Sequence, residues 1–147
     1  MKRILFLSLY FPPDLSAGSF RSKSLVEKLS KSEDVEVHVI TTFPNRYKNF
    51  SDDNLSELPS NVRVDRIQLP SHNSGMLDQS KAFFCFAKEV LRKINGRNYN
   101  LVFATSSRLL TATLGSYIGR KLKLPYYLDI RDIFVETIGD VLPSWLA

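Results

Sequence analysis

The sequence predicts a doubly wound α/β fold: a mainly parallel five-stranded sheet, strand order 3-2-1-4-5, with helices on both faces. Three observations carry this. Short apolar runs alternate with segments of helical periodicity along the chain. The first run, Ile4 to Leu7 continued by Leu9, Tyr10 and Phe11, is stopped by Pro12 and Pro13, which lack N–H donors and fix φ. A loop of small and turn-forming residues, Asp14 to Ser19, then leads into a helix, where parallel sheets bind ligands. It is not G-x-G-x-x-G, so a dinucleotide is not the first expectation.

The elements follow in order. Leu25, Val26 and Leu29 recur at helical spacing opposite Lys23, Glu27, Lys28 and Lys31, which predicts a helix over Ser19–Ser30. Val35 to Thr42 reads as the second strand, completing a right-handed βαβ unit. A long irregular passage runs from Phe43 to about Ser60; loops of this length are either functional or tolerated surface insertions. Asn61 to Ile67 alternates apolar and polar residues, the pattern of a strand near an edge.

Leu77–Ile94 is the longest helix candidate, with Gly96 at its end. Its basic residues and aromatics suit either packing on the sheet with lysines in water, or an anionic membrane surface. In the second reading Lys81, Phe84, Lys88 and Arg92 make the contact. Leu101 to Ala104 is a strand apolar on both faces, Leu109–Leu122 a helix, and Pro125–Ile130 the fifth strand. Ala112, Gly115 and Gly119 share one side of that helix and allow close contact with the sheet.

Composition bounds the function. The 147 residues suffice for one domain with a core, and 44% hydrophobic with 24% charged residues is ordinary globular content. No apolar run is long enough to span a bilayer, and the N-terminus has no signal-peptide pattern. Cys85 is the only cysteine, which excludes an internal disulfide and fits a reducing cytoplasm. The charge of +5 suits phosphates, an anionic surface or simple solubility. It is spread along the chain without aromatic–basic repeats, against a nucleic-acid module.

In the predicted topology the first and fourth strands are neighbours, and the crevice at their carboxyl ends is the expected site. Three loops converge there: Asp14–Ser19, Thr105–Arg108 and Asp129–Asp132. Backbone N–H groups at a helix start suit a phosphate or sugar hydroxyl, so Ser16, Gly18, Ser106 and Ser107 are candidates beside Asp14. Asp129, Arg131, Asp132 and Glu136 are the densest ionisable set. The carboxylates, Asp129 and Asp132 above all, suit hydroxyl binding or general-base work, and Arg131 a phosphate; the alternative is an Arg–Asp network that fixes the loop. His38 and His72 have no second ligand at metal spacing, so no metal is expected. Walker and G-x-S-x-G motifs are absent.

Four segments also carry a resemblance. Leu9-Tyr10-Phe11-Pro12-Pro13-Asp14 with Ala17-Gly18 and Arg21 looks like Y-F-P-P-E…G…R, and Thr42-Phe43-Pro44-Asn45 like G-F-P-N. Phe103 to Ser107 looks like A-T-S-P-P, and Asp129 to Glu136 like V-R-D-L-W-P-E. In this order and spacing the chain resembles the N-terminal domain of bacterial retaining glycosyltransferases of family 4, of the GT-B fold. The nearest branch builds O-antigen and capsule, with fucosamine-transferase-like members. Ser16, Arg108, Phe134 and Val135 depart from the family's Gly, Pro, Trp and Pro.

The resemblance implies a Rossmann-like acceptor-side domain and adds Arg21 and Asn45 to the substrate-binding candidates. It implies a nucleotide-sugar donor without metal or other cofactor, and a glycan or polyprenyl-diphosphate-linked acceptor. The location implied is the cytoplasm, peripheral to the membrane. A separate C-terminal domain would hold the donor, so the chain alone is expected to be inactive. The competing expectations are a stand-alone binding module paired with a catalytic subunit, and another Rossmann-like enzyme using a nucleotide cofactor.

Overall fold

The computed structural model describes residues 1–44, 58–69, 76–106 and 109–130. The elements are β1 (Lys2–Leu7), α1 (Ala17–Leu29), β2 (Val35–Thr42), β3 (Val62–Ile67), α2 (Met76–Ile94), β4 (Leu101–Thr105), α3 (Leu109–Leu122) and β5 (Tyr126–Asp129). They form one five-stranded sheet in the order β3-β2-β1-β4-β5, with every pairing parallel. This is the expected α/β Rossmann-like arrangement. β1 is central, with Ile4 opposite both Val37 of β2 and Leu101 of β4. β3 lies at an edge, as its one-sided pattern predicts.

Alternation along the strands divides the core in two. Ile4, Phe6, Val37, Val39 and Phe103 face α1 and pack with its Val26 and with Phe11. Leu5, Leu7, Ile40, Val102 and Ala104 face the other way, onto Phe86, Val90 and Ile94 of α2 and Leu114 and Ile118 of α3. Helices on both faces explain why the central strands are apolar throughout.

α1 starts two residues before the expected Ser19, because Ser16 caps it: the Ser16 hydroxyl accepts the Ser19 N–H at 3.2 Å. Gly96, at φ +73°, reverses the chain just after α2. α3 needs its small face. A Cβ on Gly115 would lie 2.5 Å from the Ala104 Cβ, and one on Gly119 2.6 Å from the Tyr126 ring.

On α2, Ala82, Phe86, Val90 and Ile94 are buried, whereas Lys81, Phe84, Lys88 and Arg92 are all exposed. Phe84 is 71% exposed, unusual for a phenylalanine. Arg92 pairs with Glu89 at 2.7 Å. Among the described residues no helix is long and apolar enough to cross a membrane. Most of the long passage between β2 and β3 lies outside the described residues.

Candidate functional site

The carboxyl ends of β1, β4 and β5 meet the start of α1 at the end of the sheet where the crevice is expected. Its floor is a chain of buried hydroxyls. Thr105 Oγ1 donates to Ser8 Oγ at 3.2 Å, and Ser8 Oγ lies 3.0 Å from Ser22 Oγ on α1. Ser22 Oγ reaches back to the Gly18 carbonyl at 2.8 Å, and Ser8 Oγ to that of Tyr10 at 2.8 Å. β1, β4, α1 and the intervening loop are thereby tied together through neutral groups, and each of these hydroxyls has a partner.

The loop after β1 is held from the side as well. Thr41 and Thr42 at the end of β2 donate to the Leu9 carbonyl at 3.3 and 2.7 Å. Arg66 of β3 donates to the carbonyls of Pro12 and Thr42. The Asp14 N–H closes a turn onto the Phe11 carbonyl at 3.2 Å, and the Asp14 side chain is buried.

At the head of α1, Ser16 accepts the Ser19 N–H on its hydroxyl and the Phe20 N–H on its carbonyl at 3.1 Å. The Ala17 and Gly18 N–H groups lead the helix and have no intrahelical acceptor by geometry. The Ser19 hydroxyl beside them is fully buried without a partner among the described residues. The helix start therefore offers N–H donors and the positive end of its dipole to an anion.

Across the crevice Arg21 forms a bidentate pair with Asp129, Nε to Oδ2 at 3.0 Å and Nη2 to Oδ1 at 2.8 Å. The hydrogen bond it donates to Asp129, then the charge of that carboxylate, raises the Arg21 pKa above its ordinary value. The Asp129 side chain is only 12% exposed against 52% for Arg21, so the carboxylate is held while the cation faces solvent. On the same face Phe6, Phe103 and Tyr127 stack in a row, with centroids 4.9 and 5.2 Å apart.

The structure thus gathers Asp14, Ser16, Gly18, Arg21, Ser106 and Asp129 at one end of the sheet, and it gives two of them structural contacts. Ser16 is a helix cap. The Ser106 N–H, expected to face a ligand, continues the β4–β5 ladder by donating to the Asp129 carbonyl at 2.9 Å. Asp129 pairs instead with Arg21, 108 residues away; the network weighed among Asp129, Arg131 and Asp132 reaches outside the described residues. Asn45, Ser107, Arg131, Asp132 and Glu136 lie outside the described residues.

Sequence reasoning missed Ser8, Ser22 and Arg66, and placed Thr105 in a converging loop without a role for its hydroxyl. A hydroxyl residue directly after an apolar strand, as at Ser8 and Thr105, was the available signal. Among the described residues no three His, Cys, Asp or Glu side chains gather at metal-ligand spacing.

No protein-family model and no curated protein matches this chain. Solved structures do. The apo form of Phytolacca americana UGT2 superposes with a TM-score of 0.60 at 13% identity, covering 98% of this chain and 34% of that one. The same protein complexed with UDP-2fluoro-glucose and pterostilbene gives 0.60 at 13% identity, over 97% and 35%. The C-terminal domain of a Pyrococcus furiosus hydrogenase gives 0.58 at 13% identity, over 87% of this chain and 90% of that domain. The fold is therefore shared with UDP-glycosyltransferases of the GT-B type, and the chain spans about a third of the length of those it matches.

Proposed function

We propose that this chain is the acceptor-side half of a GT-B glycosyltransferase that moves a sugar from a nucleotide-sugar donor to a glycan acceptor. The observation that carries the reading is the crevice head: the leading N–H groups of α1 beside the Arg21–Asp129 pair, above a floor of hydroxyls. N–H donors and a cation suit a diphosphate, and hydroxyls with a held carboxylate suit sugar hydroxyls. The fold shared with a UGT2 complexed with a UDP-sugar supports the donor class.

The finer reading rests on the four-segment resemblance: retaining transfer of the family 4 type, in bacterial O-antigen or capsule synthesis, at the cytoplasmic face of the membrane. A polyprenyl-diphosphate-linked acceptor would bring the exposed face of Lys81, Phe84, Lys88 and Arg92 against lipid. Flotation with neutral and anionic vesicles tests that face, and equal recovery from both removes it.

The donor-binding domain is a separate part of this proposal. The chain alone should give no transfer from a panel of labelled nucleotide-sugars to a lipid-linked acceptor extract. Adding the donor-binding half should restore it. Turnover by the chain alone would overturn the half-enzyme reading. The hydrogenase domain, matched over 90% of its length, has this fold as a domain of similar size, which leaves room for a second reading, a binding module serving another catalytic subunit. Acceptor binding that never leads to transfer in the complementation assay would select it.

A further inference from the structure

At the opposite end of the sheet, Arg3 of β1, Glu36 and His38 of β2, Arg63 of β3 and Arg97 after α2 line a cavity of about 200 Å³. The register sets it there: Arg3 lies opposite Glu36, and His38 opposite Arg63. Arg3 and Ser8 are five positions apart along an extended chain, roughly 17 Å at strand rise, so this is not the crevice.

Its floor is a buried relay. His38, 1% exposed, contacts the Tyr99 hydroxyl through Nδ1 at 2.6 Å and Asp65 Oδ2 through Nε2 at 3.0 Å. This pattern fits a neutral imidazole donating to Asp65 and accepting from Tyr99.

The charges above that floor do not balance. Arg3 is matched by Glu36 at 2.8 Å. Arg63 and Arg97 share one carboxylate, Asp65, which already serves His38. They stand 3.3 and 3.7 Å from it, longer than a strong charge-assisted hydrogen bond. Lys93 adds its field to the same carboxylate. Among the described residues the cavity lining thus carries three guanidinium groups, Arg3, Arg63 and Arg97, and one carboxylate, Glu36, with Asp65 in reach of Arg63 and Arg97. Guanidinium forks left partly unmatched are the geometry that binds phosphoryl oxygens.

We infer that this cavity binds a small phosphate dianion, either inorganic phosphate or the end group of a phosphomonoester. At about 30 Å³ per water it has room for roughly six waters, enough for a phosphate with a short organic tail.

The test is calorimetric titration of the 147-residue chain at constant ionic strength with inorganic phosphate and, separately, with glycerol 3-phosphate. Imidazole NMR follows His38. Saturable one-to-one binding that shifts the His38 resonances is expected, and the tighter of the two probes identifies the source. Arg97→Gln and Arg63→Gln should each weaken it about tenfold. Lys28→Gln, on the exposed side of α1, should leave it unchanged. Arg63 is 55% exposed, so its replacement keeps the test valid even if Arg97→Gln does not fold. No saturable binding of either probe in the millimolar range, or equal binding by wild type and Arg63→Gln, would overturn the assignment.

Discussion

At the carboxyl ends of the strands the described polar groups are mostly hydroxyls, and the Arg21–Asp129 pair is matched charge for charge. At the amino ends of β1 to β3, guanidinium groups outnumber the carboxylates that answer them, over a buried His–Tyr–Asp relay. Hydroxyls can be buried cheaply once each finds a partner, because no charge leaves water. Such an end is easily fixed in shape and recognises ligands by directed hydrogen bonds. A charged end is harder to bury and acts through its field. One sheet thus separates a crevice of shape from a cavity of charge.

The largest way to break this contrast is to push α3 off the sheet at the crevice end. Gly115→Val must place a side chain where a Cβ already meets Ala104 at 2.5 Å. It should destabilise the chain by about 3 kcal/mol in urea unfolding. A loss well under that would show that α3 can slide, and that the crevice walls are less fixed than described.

The amino end is the next most sensitive. Asp65→Ala removes the acceptor that serves His38, Arg63 and Arg97 together, leaving a buried imidazole donor without a partner. A loss of about 2 kcal/mol is expected in the same measurement. No change would mean that water replaces the carboxylate and that the relay is loose.

A smaller effect sharpens the comparison through pH. Burial, outweighing the Asp65 contact and joined by the charges of Arg97 and Arg63, lowers the His38 pKa from its ordinary 6.5. The unfolded chain then holds the proton more tightly than the native one. The contribution of neutral His38 is complete above the unfolded pKa and declines as pH falls through it toward the lower folded value. Imidazole NMR should give a midpoint below about 6.5, with a urea midpoint that drops over the same range. A raised His38 midpoint would reverse the sign and make the relay an ion pair.

The smallest effect should come from Arg21→Ala. The Arg21 side chain is half-exposed, which limits what the pair contributes although Asp129 is mostly shielded, so the melting temperature should fall only slightly. A clear drop would make the pair a structural strut and remove it from the ligand-facing inventory.

The elements were legible because each is encoded locally. Period and punctuation place β1 through β5, and the small face of Ala112, Gly115 and Gly119 announces the close approach of α3. Parallel order then follows from chain sense and handedness. Pairings set by tertiary register were not legible. Arg21 and Asp129 are 108 residues apart, and His38 meets Tyr99 across 61. His38 reads as a strand residue with no ligand partner, because Asp65 and Tyr99 reach it only once β3 and the turn after α2 are in place. Ser16 shows the reverse case. Its hydroxyl caps α1, and a serine just before the helical pattern is a cap signature present in the sequence.

The central place of β1 has a consequence for synthesis on the ribosome. Its first neighbour, β2, follows within one βαβ unit, but on the other side Arg3 meets Asn100, 97 residues later. Roughly sixty residues separate the end of β2 from the start of β4. At about 5–20 residues per second, that flank of the nascent chain stays unpaired for on the order of 3 to 12 seconds. Ile4 to Leu7 is then an apolar strand with one open edge, the kind of segment that chaperones bind and that aggregates when they do not. Slowing translation between β2 and β4 should therefore lower the soluble yield more than slowing it after β5.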